Sequence, residues 1–327
     1  MLGSALQVKL VTVLACVCAL AVSGCASLWP QTAQLAEGLP QGLPERVELT
    51  SVPFFPQVEY QCGPAALATT LAATGIKVTP DDLVSQVYIP ERKGSLQIEM
   101  LAAARRHGLV SYQLAPRFED LLREIAAGNP VILLQNLGFI DGWHYAVAIG
   151  YDYDRGELIL RSGETERRVL PFPVHEMVWK RSGYWAMVTM PPDRIAVTAD
   201  EARWLSSIAA LERPGSRTAA RIAYASLLKR WPENRGAAIG LANTHHALGD
   251  LREAEAVLRD AERRAPDSVV VLNNLAQTLS DQGRHEEALP FIERAAASGG
   301  QFAEAVQQTR QQVLDRIAAE RKGERGN

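Results

Sequence analysis

The hydrophobic and polar positions of this chain fall into three regimes. The first is an unbroken apolar stretch, LVTVLACVCALAV at residues 10–22, too short to span a bilayer as a helix. The second runs from about Val47 to about Met190 and changes period half-way. Its first half has helical spacing and predicts helices over Cys62 to about Thr74, Pro80 to about Val87, Ser95 to about His107 and Phe118 to about Ala127. Short β-branched and aromatic runs then predict strands: PVILLQNL (130–137), WHYAVAIGYD (143–152), GELILRS (156–162), ERRVLPF (166–172) and YWAMVTM (184–190). Tyr153 to Gly156 suit a hairpin turn between the second and third of these. A helical half followed by an antiparallel half is an α+β arrangement.

The third regime follows a linker at residues 191–200 and is helical, rich in Ala, Arg, Glu and Leu, and periodic. Pro232 and Pro266 are 34 residues apart, Ala220, Ala254 and Ala288 keep the same period, and so do Leu241 and Leu275. With Glu201, Arg235 and Val269 as starts, Trp204, Ala238 and Leu272 share one position, and Tyr224, Leu258 and Ile292 another. This resembles the tetratricopeptide pattern, in which small residues at the close helix crossing and large ones around it let paired helices stack into an all-α solenoid. Three repeats are expected over 201–302, the first degenerate at Pro214 and Gly215, and Gly300 stands where the last would have its terminal proline. Residues 303–327 read as a capping helix, to about residue 321, and a tail.

At the other end, Lys9 and the amino terminus precede the apolar run, which makes residues 1–24 a signal peptide with its h-region. VSGC at 22–25 resembles the lipobox of bacterial lipoproteins. The resemblance implies cleavage before Cys25, acylation of that cysteine, and an exported protein anchored to a membrane surface by its lipid. Ala26 after the cysteine resembles outer-membrane sorting, facing the periplasm, if the host is Gram-negative. Residues 25–46 carry Pro, Gly and polar positions and read as a lipidated tether.

Composition narrows the partners. A formal net charge of -3, with both signs interspersed, offers no polybasic footprint, so no nucleic acid is expected. The cysteines are Cys16, Cys18, Cys25 and Cys62. If two leave with the signal and one carries lipid, Cys62 is a lone thiol without a disulfide partner. Opening a helix favours its thiolate, but a buried filler can sit there too. Gln57 lies where its amide N–H could face an oxyanion beside the N–H of Cys62. His144 opens a strand in the β half, where a base facing a helix-borne thiol must lie. His107, His175, His245, His246 and His285 fall at helix ends, after prolines or within the repeats.

PFFPQVEYQCGPAALATTL (53–71) together with GWHYAVAIGYD (142–152) resembles the papain-like peptidase domain that removes double-glycine leaders in bacteriocin export transporters. KGSLQIEMLAAARRHGL (93–109) and FEDLLREIAAGNPVIL (118–133) agree, and the likeness covers about residues 50–190. It implies a papain-like cysteine peptidase domain at 47–190, with Cys62 as nucleophile, His144 as general base, Gln57 as oxyanion helper, and neither metal nor organic cofactor. One position departs from the family. Where an Asp-Pro pair usually orients the histidine, LILRSG places Arg161 and Ser162; arginine cannot accept the imidazole proton, whereas the Ser162 hydroxyl or carbonyl can.

The combination of signal, peptidase domain and repeats is similar to a group of bacterial cysteine-peptidase lipoproteins. No GxxxxGK[ST] phosphate loop is present. The expectation is a membrane-anchored cysteine peptidase acting on a protein or peptide substrate, with the repeats recruiting substrate or a protein partner. Two alternatives stand beside it: a catalytically silent peptide-binding adaptor, and an acyl transferase or amidase using the same Cys–His dyad.

Overall fold

The computed structural model describes residues 28–57, 60–138, 142–213 and 216–326. Cys16, Cys18, the lipidation candidate Cys25 and the Pro214-Gly215 pair lie outside the described residues. The rest divides into two compact units, the first mainly residues up to Thr189, the second mainly from Ala199 onward.

The first unit is built on a seven-stranded sheet in the order β4-β9-β5-β6-β7-β8, with β1 added alongside β6. In chain order the strands of this sheet are β1 (Arg46–Glu48), β4 (Val110–Gln113), β5 (Val131–Asn136), β6 (Trp143–Asp152), β7 (Glu157–Ser162), β8 (Thr165–Pro171) and β9 (Ala186–Met190). β2 (Tyr88–Ile89) and β3 (Gly94–Ser95) form a separate small hairpin. The helices are α1 (Pro30–Ala36), α2 (Cys62–Ala73), α3 (Pro80–Val87), α4 (Gln97–Arg106), α5 (Phe118–Ala126) and α6 (Phe172–Lys180).

Core strands β5, β6 and β7 are buried along most of their length, as their continuous apolar runs require. β6 is the long central strand. Its first half pairs antiparallel with β5 and its last residues with β1. Gly150 is where β1 crosses it: a Cβ there would stand 2.5 Å from the Val47 carbonyl oxygen, so only glycine admits the neighbouring backbone. α2 packs against β6 and β5 and is buried without a break from Gly63 to Leu71, the pattern of a central core helix rather than a surface one.

Residues 25–46 are not all tether. Pro30–Ala36 form α1, whose first N–H groups are capped by another element: Gln31 N and Thr32 N donate to Glu176 on α6 at 3.0 and 2.7 Å. Leu35 is buried beneath it. The sequence shows no periodicity here because about two turns of helix carry a single buried residue, Leu35. The sequence predicts a strand through Phe172, whereas that residue opens the helix α6. Its first residues, Phe172 and Pro173, are extended formers, but Phe172, His175, Val178 and Trp179 recur at helical spacing and are buried.

The second unit is a run of antiparallel helix pairs: α7 (Glu201–Glu212) with α8 (Arg217–Arg230), α9 (Arg235–Leu248) with α10 (Leu251–Arg264), α11 (Val269–Asp281) with α12 (His285–Ser298), then α13 (Ala303–Gly326). Helices thus begin at the three positions the 34-residue period marks. Ala220, Ala254 and Ala288 are fully buried at the crossings, and Tyr224, Leu258 and Ile292 fill the space around them. The Tyr224 ring lies against Gly240, where a Cβ would come within 2.4 Å of it. α13 extends to Gly326, past the expected end near 321, and places Val306, Val313 and Ile317 on the last repeat.

Candidate active site

The geometry around Cys62 follows from how β6 leaves its neighbours. Leu134 N donates to Trp185 O, so Leu134 and its cross-strand partner Tyr145 are a non-hydrogen-bonded pair. The N–H and C=O of Tyr145 therefore point away from β5. On that side the ladder to β7 has ended at Val147 opposite Arg161, and an opening remains between the two strands. Two of the expected site residues fill it. Gln57 donates from its side-chain amide to Tyr145 O at 3.2 Å and from its backbone N–H to Gly163 O at 3.2 Å. Cys62 lies close enough for the Tyr145 N–H to favour its thiolate.

His144 immediately precedes that hub. Its Nε2 lies 2.9 Å from Ser162 Oγ, the last residue of β7. Ser162 is buried and His144 half-buried, so the contact is partly shielded from water. The structure thus brings His144 and Ser162 into direct contact, sets Gln57 on the backbone next to His144, and puts Cys62 near the amide that follows His144. Arg161 takes no part: it is buried and donates to Val52 O at 2.9 Å and to Glu166 O at 2.6 Å, tying the segment before Gln57 to β7. Asp152 accepts the Arg155 N–H in the β6–β7 turn.

One electrostatic expectation is corrected. The free thiol of Cys62 opens α2, and the N–H groups of Tyr145, Gly63 and Cys62 itself favour its thiolate, but burial outweighs them and pushes the thiol above its ordinary value. The helix N-terminus is present; desolvation wins. A resting thiol needs a base to take its proton as it attacks, which puts more weight on the histidine.

The sulfur opens onto a cavity of about 520 Å³, whose walls include Tyr60, Arg92, Lys93, Ser95, Trp143 and Tyr145. Sequence reading missed most of this lining. Tyr60, with φ 62, and Lys93, with φ 47, are non-glycine residues in the left-handed region, which no periodicity reveals. Ser95 reaches the site because Gly63 has no side chain: a Cβ there would lie 2.2 Å from Ser95 Oγ. Among the described residues no group of His, Cys, Asp and Glu is arranged to hold a metal ion.

Of the other histidines, His175 is fully buried on α6. Its Nδ1 accepts from Gln135 Nε2 at 3.0 Å, and its ring stacks on Trp179. Burial holds its pKa down at about 3, so it is a neutral core residue. His246 meets Asp281 at 2.8 Å and His245 meets Asp250 at 3.4 Å, both within the repeats.

Residues 49–186 match the family model described as the Peptidase_C39 like family. Residues 215–271 and 247–302 match two tetratricopeptide repeat models. The chain is therefore an α+β unit similar to C39 peptidases followed by helices of tetratricopeptide type. Among solved structures, a Bacillus anthracis protein described as a C39-like peptidase is 19% identical, covering 45% of this chain and 98% of its own, with a TM-score of 0.39. The peptidase domain of Streptococcus ComA, a bi-functional ABC transporter involved in quorum sensing, is 16% identical over 43% of this chain and 98% of its own, with a TM-score of 0.35. For the repeats, the TPR2B domain of yeast Sti1 is 18% identical over 35% of this chain and 96% of its own, with a TM-score of 0.34. No curated protein sequence matches the chain.

Proposed function

We propose that the protein is a membrane-anchored cysteine peptidase in which Cys62 attacks the scissile carbonyl and His144 takes its proton and returns it to the leaving amine. The observation that carries this is the 2.9 Å contact between His144 Nε2 and Ser162 Oγ, beside a sulfur whose thiolate the adjacent Tyr145 N–H favours. In this reading Nδ1 exchanges the proton with the thiol, and Ser162, at Nε2, is a positioning residue rather than a base. The tetrahedral oxyanion would be met by the Cys62 N–H and by Gln57, whose carboxamide has a second N–H beside the one given to Tyr145 O.

Anchorage through Cys25 fits the placement of α1. Only the chain from Cys25 to Pro30 separates the lipid from a helix docked on the catalytic unit, and fully extended it reaches at most about 18 Å. The peptidase would work at the membrane surface on substrates presented there. The repeats, whose family binds peptides and proteins, would recruit the substrate or a protein partner.

A specific observation favours the rival adaptor: a thiol raised by burial, with a serine hydroxyl at Nε2 of its histidine. Full-length protein incubated with a peptide pool, its products read by mass spectrometry, separates the readings. New peptide termini that disappear in Cys62→Ala support the peptidase. A pool left intact by both proteins supports the adaptor, and transfer to an added amine without hydrolysis supports the transferase.

A further inference from the structure

We propose that the cavity at Cys62 binds peptides carrying an acidic side chain next to the bond presented to the sulfur, and that Arg92 and Lys93 are the residues that read it. Naming the ligand a substrate rests on the peptidase reading; the binding preference does not.

The described lining residues include two cations and no carboxylate. Both cations sit on the turn between β2 and β3, Pro90–Arg92 and its cap Lys93, and line the cavity together with Trp143. Glu91, on the same turn, is not in the lining; Glu59 and Asp141 lie outside the described residues. A cleft walled by one sign of charge over a low-dielectric floor concentrates the opposite charge.

The backbone adds a second, independent observation. Among the described residues, three that are not glycine have positive φ: Tyr60, Lys93 and Tyr184. Two of them line this cavity, and they meet across it, the Lys93 ammonium standing 5.2 Å from the centre of the Tyr60 ring. Glycine would be the less strained residue at either position, and strain of this kind gathers at ligand clamps. Here it holds an ammonium over the cleft against an aromatic face, a contact a ligand carboxylate can replace with a stronger one.

The test is protection of Cys62 from iodoacetamide in the full-length protein, read at the Cys62 peptide by mass spectrometry. The probes are two capped tetrapeptides that differ only as Glu against Gln. An exposed ion pair contributes about 1.4- to fivefold, so with two cations the Glu peptide should protect at a concentration lower by about that factor or more. The preference should vanish in Arg92→Gln/Lys93→Gln and at high salt, while both peptides still protect at the weaker level. Equal protection by the two peptides, no protection by either, or a preference unchanged in the double variant would overturn the proposal. Selective protection without cleavage would refute the peptidase reading and leave this one standing. Cleavage without acid preference would do the reverse.

Discussion

Replacing Ser162 by Ala tests the least expected member of the site. The substitution removes one hydroxyl from a buried position and deletes its 2.9 Å contact with His144 Nε2, without opening a cavity larger than a water. A buried hydrogen bond contributes a net ~0.5–1.5 kcal/mol, and at about 1.4 kcal/mol per tenfold in rate this is a loss of about two- to twelvefold in kcat/KM. His144→Ala, which removes the base itself, should cost about 10²- to 10⁴-fold. Ser162→Asn, which supplies another acceptor, should recover part of the loss. Ser162→Asp should also raise the midpoint of the acid limb of the pH profile, because a carboxylate beside the ring favours the imidazolium. The assay is hydrolysis of a peptide found in the pool digestion, followed across pH for all four variants. An Ala variant equal to wild type, or one as damaged as His144→Ala, would refute the assignment of Ser162 as the residue that positions the base.

Two further outcomes follow from the fold around the site. His175 is neutral in the folded state, with a pKa of about 3 against an ordinary 6.5; the unfolded chain takes up the proton first, so stability present above about pH 6.5 is lost as pH falls toward 3. The slope approaches 1.4 kcal/mol per pH unit, or about 2 kcal/mol between neutrality and pH 5, and urea midpoints at the two pH values should show His175→Gln to be flatter by that amount. Gly63→Ala would drive a Cβ to 2.2 Å from Ser95 Oγ. It should cost about 1–3 kcal/mol by overpacking, seen in thermal melts, and should disturb Cys62 labelling more than an alanine elsewhere on α2.

The elements with strong periodicity were legible in the sequence: the start of α2 at Cys62, the long strand β6, and the repeat starts at Glu201, Arg235 and Val269 all rest on dense apolar patterns. The short pieces were not. β1, α1 and the strands β2 and β3 are two to seven residues long, too short for a period, and β1 and α1 are held by partners distant in sequence, as α1 is by Glu176. The same division holds at the site. Cys62 and His144 could be singled out by residue type and setting, and Ser162 by its place in LILRSG. The amide of Tyr145 as the point where Cys62 and Gln57 meet depends on which edge of β6 is unpaired, and register is not written in one strand. The rise in the Cys62 thiol is likewise a property of the packed helix, since local sequence supplies the N–H groups but not the burial that outweighs them.

The most direct test of the central claim, that Cys62 and His144 act on one another, is the pH dependence of iodoacetamide labelling at Cys62 in wild type and His144→Ala. Wild type should label through a midpoint above that of a free thiol, with a shoulder near neutral pH where the imidazole takes the proton as the sulfur attacks. His144→Ala should lose the shoulder and keep the alkaline limb. Identical profiles for the two proteins, or a Cys62 that labels like a free thiol in both, would contradict the account.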